Sequence, residues 1–200
     1  MNDTLPFGPI EGPVLHAAID MQVMFDHGTE WASPAVRQAL PGAMALTQAR
    51  PRQTVLTRFL PPHRPDAAPG RWRFYYERWR DICLDKMDPS LAAVVTPLAA
   101  VGCPILDKAG HSAFDAPSFR RRVEGIETLI LSGVETDVCV LATALDAVDA
   151  GLRVIVAADA VASASEAGHR ATLDAVLSRF DRQVEIATVA AILDGWFAQS

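Results

Sequence analysis

The chain has 200 residues, half of them hydrophobic, and its 24 acidic against 18 basic side chains leave a net charge of −6. That length and apolar content suit one domain with a sizeable core, and the negative charge offers no general attraction to nucleic acid or to an anionic membrane. Cys83, Cys103 and Cys139 are an odd number without metal-type spacing, which argues for a reducing, cytoplasmic setting, and no apolar run is long enough to span a bilayer.

The first twelve residues are polar and proline-rich and lack the basic start and apolar stretch of a signal peptide, so 1–12 reads as an arm and 13–200 as a single domain. The apolar run 14–19 predicts a strand that ends on Asp20, with Met21, Gln22 and Phe25 beyond it, and 34–49 predicts a helix. A strand at 53–57 opens a long connection in which Trp72, Phe74, Tyr75, Tyr76 and Trp79 interleave with Arg71, Arg73, Arg78 and Arg80. A short strand at 104–106 runs into Asp107, Lys108 and Gly110, and a helix follows at 116–123. Residues 128–131 form the next strand, Ser132 to Glu135 suit a sharp turn, and Thr136 can cap a helix at 137–150 that carries Cys139 in its first turn and stops at Gly151. Strands at 153–156 and 184–186 and helices at 166–180, capped by Ser165, and 188–197 complete the alternation. Six strands with covering helices predict a three-layer α/β/α sandwich around a six-stranded, mostly parallel sheet.

In such sheets ligands bind beyond the carboxyl ends of the strands, so Asp20, Lys108 and Cys139 can converge although they are far apart in sequence. A cysteine taken alone is more often a small core residue. At a helix start, however, the dipole and unpaired N–H groups favour a thiolate. Lys108 is one of only two lysines, with Lys86, in a chain otherwise supplied with arginine. Lysine offers the compact charge that fits beside a thiolate and a carboxylate.

At these three places the chain resembles the isochorismatase-like cysteine hydrolases, the relatives of nicotinamidase and N-carbamoylsarcosine amidohydrolase. The resemblance rests on Asp20, Gln22 and Phe25; on Lys108 with Ser112, Ala113 and Phe114; and on the run from Ser132-Gly133-Val134 through Thr136, Cys139-Val140 and Thr143-Ala144 to Asp159-Ala160 and Ser163. It implies an Asp20-Lys108-Cys139 catalytic triad and a cis peptide between Val134 and Glu135. It also implies an oxyanion hole made by the backbone N–H groups of Glu135 and Cys139. Asp20 would act as base and acid, Lys108 would stabilise the thiolate, and Cys139 would form a thioester. Family members commonly form homodimers or homotetramers, which is the expectation here.

Nicotinamidases of this fold hold a metal through an Asp-x-His pair after the second strand, and no such pair follows residue 57. His63 with Asp66 is the nearest substitute and makes a poor metal shell, so neither a metal nor a cofactor is expected. His111, close to Lys108, and His169, inside a helix, are not assigned catalytic roles. The aromatic and arginine-rich segment 58–80 reads as a pocket wall, a lid or a subunit interface. A nucleic-acid surface is the rival reading, and the net charge opposes it. Phe25, Arg58, Trp79 and Phe114 are the expected substrate-binding residues, with Arg58 pairing a carboxylate. The expectation is a metal-independent hydrolase of a small amide or ureido (N-carbamoyl) compound. The alternatives are a vinyl-ether hydrolase of the isochorismatase type and a non-catalytic, metabolite-binding or assembly member of the fold.

Overall fold

The computed structural model describes residues 4–197. Strands β1 (Val14–Ile19), β2 (Thr54–Phe59), β3 (Ile105–Lys108), β4 (Thr128–Val134), β5 (Arg153–Ala162) and β6 (Val184–Ala187) form one sheet in the order β3-β2-β1-β4-β5-β6. Every pairing is parallel, so the sheet is parallel throughout rather than for the most part. The chain winds outward from β1 to β3, then returns to lay β4 on the other side of β1. This reversal opens a crevice beyond the carboxyl ends of β1 and β4.

Both faces of the sheet are covered, which is why its strands are continuous apolar runs rather than alternating ones. In β4, Leu129 and Leu131 face one core with Leu15, Ala17 and Ile19 of β1, while Ile130 faces the other with Val14. The first core is closed by Phe119 of α5 (Pro117–Val123) and by Ala144, Ala147 and Val148 of α6 (Leu141–Asp149). On the opposite face lie α2 (Ala35–Ala49) and α8 (Val189–Phe197). Helix α2 packs closely on β5: a Cβ at Gly42 would lie 2.6 Å from the Cβ of Ala160. The short helices α1 (Val23–Asp26), α3 (Trp72–Arg78), α4 (Thr96–Ala99) and α7 (Glu166–Ala171) lie in the connections.

Strand ends run further than the sequence pattern indicates. Strand β3 continues to Lys108 because Arg58↔Asp107 and Phe59↔Lys108 still pair with β2. Strand β4 includes Ser132, Gly133 and Val134, which the sequence assigns to a turn. The single helix expected at 166–180 is instead α7, a π turn at Thr172–Val176 and a 3-10 turn at Leu177–Phe180, while Leu173 and Leu177 stay packed in the α6-side core. The expected arm reaches into the undescribed residues 1–3, but its remainder is pinned down. Arg153 donates to the carbonyls of Gly8 and Pro9 at 2.7 and 2.9 Å and to buried Glu185 at 2.6 Å, and Ile10 is 2% exposed. Among the described residues no helix is long and apolar enough to cross a membrane.

Candidate active site

Strand β1 releases Asp20 just past its end in a left-handed backbone conformation, φ 48°, which aspartate tolerates better than most residues. Its Oδ1 accepts a hydrogen bond from the Thr57 hydroxyl at 2.7 Å, and that same hydroxyl accepts from the Asp20 N–H at 3.0 Å. Gln22, fully buried, donates to the Phe59 and Ala92 carbonyls at 2.9 and 2.8 Å and accepts from the Phe59 N–H at 2.7 Å. The ends of β1 and β2 are thereby locked at one height.

The last residue of β3 is Lys108, whose Nζ lies 2.7 Å from Asp20 Oδ2 with both side chains at 0% exposure. That oxygen accepts no further hydrogen bond among the described residues. Nζ also donates to the carbonyls of Gly110 and His111 at 2.9 and 2.8 Å, so the three ammonium protons face three oxygens. Burial opposes the ammonium, yet the Asp20 carboxylate and the Cys139 sulfur outweigh it and leave the lysine pKa raised.

Cys139 lies close enough to the Asp20–Lys108 pair for both side chains to act on its sulfur. Residues Thr136–Val140 form a π turn that runs directly into α6, so the cysteine does not sit in an ordinary first helical turn. Thr136 does not cap this turn: its hydroxyl meets His169 Nδ1 at 2.9 Å. The thiol is pushed upward by burial and by the Asp20 charge, with Lys108 opposing. Burial takes from the sulfur the water a thiolate requires, and so works against the thiolate that a helix start favours. The Thr143 hydroxyl donates to the Cys139 carbonyl at 2.7 Å and accepts from the Ala113 N–H at 2.9 Å, tying the Cys139 turn to the segment after Lys108.

Gly133 brings β4 against β1. Its φ is 109°, and a Cβ there would fall 2.1 Å from the Ile19 carbonyl oxygen, so only glycine fits this approach. The next peptide, Val134–Glu135, is cis. The Glu135 side chain turns into the crevice wall, where its Oε1 accepts from the Ala164 N–H at 3.2 Å.

Above this floor is a cavity of about 290 Å³ lined by Phe25, Trp31, Phe59, Tyr75, His111 and Cys139, with Glu30 and Glu135 among the remaining lining groups. Phe25 and Trp31 are stacked at 6.0 Å, 7° from parallel, and Tyr75 and Phe59 tilt against Trp31 at 6.0 and 6.1 Å. Phe25 is thus placed in the cavity. Three other expected substrate-binding residues are placed outside it. Arg58 forms a two-pronged ion pair with Asp107 at 2.6 and 2.8 Å on the β2–β3 edge, because alternate residues of a strand point to opposite faces and its neighbours Thr57 and Phe59 take the crevice side. Trp79 packs behind the wall, edge-on to Trp31 at 6.1 Å. Phe114 packs on Phe119 at 5.2 Å and belongs to the α6-side core.

The chain matches the isochorismatase domain family over residues 15–190. It belongs to that family of hydrolases. Among similar proteins, a maleamate amidohydrolase of Pseudomonas putida is 28% identical over 79% of this chain and 79% of its own length. A cysteine hydrolase from Pseudomonas syringae pv. phaseolicola superposes with a TM-score of 0.78 at 25% identity, covering 98% of each chain. An N-carbamoylsarcosine amidase from Thermoplasma acidophilum gives 0.67 at 23% identity, over 90% of this chain and 97% of that one.

A metal of the nicotinamidase type does not fit this isochorismatase-family chain. His63 is exposed, Asp66 is drawn to Arg64 at 2.8 Å, and among the described residues no three His, Cys, Asp or Glu side chains are grouped to hold an ion. Sequence reasoning missed Thr57, Trp31 and the wall position of the Glu135 side chain. Thr57 carries no signal beyond ending an apolar run. Trp31 lies in a short polar connection, where only its bulk hinted at a packing role. His111 lines the cavity and packs on Trp72 at 4.8 Å, with its pKa lowered by burial and by the Lys108 ammonium.

Proposed function

We propose that the protein is a metal-independent cysteine hydrolase that cleaves a C–N bond of a small amide or ureido compound through a Cys139 thioester. The observation that carries this reading is the fully buried Asp20–Lys108 ion pair at 2.7 Å with the Cys139 sulfur against both members at the base of the cavity. A thiol whose pKa is pushed up by burial cannot rely on ionising to solvent; it needs a base in contact, and Asp20 is that base.

As Sγ attacks the substrate carbonyl carbon, the thiol proton passes to Asp20, and negative charge gathers on the carbonyl oxygen. The backbone N–H groups of Glu135 and Cys139 are the donors assigned to that oxygen. Asp20 then gives its proton to the departing nitrogen as the C–N bond breaks and the thioester remains. Water attacks the thioester with Asp20 taking one of its protons; the C–S bond breaks, the acid leaves, and the proton returns to sulfur. Lys108 keeps its proton throughout and offsets the negative charge as it moves between Asp20 and Cys139.

The test is acid-quenched mass spectrometry of intact protein incubated with a panel of small amides and ureides. An acyl adduct confined to Cys139 and lost in Cys139→Ala, together with a fall in turnover of about ten-thousandfold or more, is expected. Retained turnover in purified Cys139→Ala would remove the thioester route.

A further inference from the structure

We propose that the substrate carries a positively charged nitrogen on the side remote from its scissile amide, held between the faces of Phe25, Trp31 and Tyr75 and the carboxylates of Glu30 and Glu135, and that the cavity rejects amides bearing a carboxylate. This rests on the amide-hydrolase reading and names its substrate class. The lining carries two carboxylates and no arginine. Lys108 reaches the floor, but its three protons are directed at Asp20, Gly110 and His111, leaving none for a substrate carboxylate. Arg58, the side chain best suited by type to bind an acid, is held by Asp107 outside the cavity.

A carboxylate entering here would lose water, gain no cation and approach Glu135, half-buried and 3.2 Å from the Ala164 N–H. A cation meets the reverse conditions. The electron-rich faces of stacked Phe25 and Trp31 and tilted Tyr75 attract it, and each carboxylate supplies its counter-charge, Glu30 at the exposed rim and Glu135 deeper in the wall. The fourth ring, Phe59, is occupied differently: Lys108 Nζ stands 5.1 Å from its centroid, so that face already serves a cation of the protein. At His111, burial and the nearby ammonium outweigh Asp20 and disfavour the charged imidazolium.

The experiment uses three amides of one skeleton: trimethylammonio-propanamide, its neutral tert-butyl isostere, and succinamate. Binding to Cys139→Ala is measured by calorimetry, and hydrolysis by the wild-type enzyme is followed separately. The cation is expected to bind about tenfold more tightly than the neutral isostere and at least about a hundredfold more tightly than succinamate. Glu135→Gln should narrow the ratio of cation to succinamate binding by about tenfold. Equal binding of all three, preference for succinamate, or no measurable binding of any overturns the inference. Binding in the expected order without hydrolysis by wild type would sustain the charge preference and count against the amidase reading alone, whereas hydrolysis with succinamate preferred would do the opposite.

Discussion

The floor and the wall of the crevice are built by different means. Asp20, Lys108 and Gly133 stand at the ends of paired strands, and sheet register fixes their heights: Ile19 faces Gly133, and Phe59 faces Lys108. Cys139 follows five residues beyond β4 on a turn tied down by Thr143. The wall instead comes from the connection after β1, which gives Phe25 and Trp31, and from the long passage between β2 and β3, which gives Tyr75. Backbone ladders position a group to a few tenths of an ångström; aromatic packing between connections fixes shape and leaves residue identity free to change. On the proposed function, reaction chemistry belongs to the floor and choice of substrate to the wall.

Breaking the floor should stop turnover without abolishing binding. Lys108→Met removes the charge facing Asp20 Oδ2, an oxygen that accepts no further hydrogen bond among the described residues, and leaves a buried carboxylate uncompensated. Asp20 would then hold its proton and cease to act as a base, so kcat should fall about a thousandfold while KM changes little. Steady-state kinetics on any amide that the wild type turns over checks this. A KM rise matching the kcat loss would place Lys108 in substrate binding instead.

The floor also rests on a polar pin inside the sheet. His16, fully buried in β1, contacts the Thr54 hydroxyl in β2 at 3.2 Å and the Ser132 hydroxyl in β4 at 2.8 Å. Burial lowers its pKa from 6.5 to about 3. Between those values the unfolded chain binds a proton that the folded chain refuses, so stability contributed by neutral His16 is complete above pH 6.5 and is lost progressively as pH falls toward 3. The limiting slope is about 1.4 kcal/mol per pH unit. Thermal unfolding across this window should show the wild type losing stability more steeply than His16→Gln, which keeps hydrogen-bonding capacity and does not titrate. Parallel slopes would mean that other groups govern the acid limb.

How much of this was legible in the sequence follows the same division. The residue run from Ser132 to Ser163 carries Gly133, Cys139 and small helix residues, and the sequence pointed to them and to the strand–helix–strand alternation around them. The extra residues of β2 and β3 were not legible, because Arg58 and Asp107 look like loop residues until their register pairs them at the sheet edge. That same pairing removes Arg58 from the cavity, so a carboxylate-binding role drawn from residue type alone failed on side-chain direction. The aromatic enrichment at 58–80 left a wall, a lid and a subunit interface open, and only Phe59 and Tyr75 of that segment line the cavity. Trp72 and Tyr76 stack on each other at 5.8 Å, and Trp79 lies behind. Helical periodicity over a seven-residue helix is too short to tell which of its rings faces the crevice.

Tyr75 gives the smallest expected effect and the sharpest separation of wall from floor. Its ring meets Trp31 at 6.0 Å, Trp72 at 5.4 Å and Tyr76 at 5.3 Å, and it is 37% exposed, so truncation removes cavity surface without emptying a core position. The Tyr76 hydroxyl, buried without a hydrogen-bond partner among the described residues, stays where it is. Tyr75→Ala should therefore raise KM about tenfold and leave kcat within about threefold, a loss near 1.4 kcal/mol of the kind one aromatic contact provides. Tyr75→Phe should restore KM, because the ring face rather than the hydroxyl borders the substrate. If Tyr75→Ala lowers kcat as steeply as Lys108→Met does, α3 controls the geometry of the floor, and the division between the two regions gives way to a single coupled site.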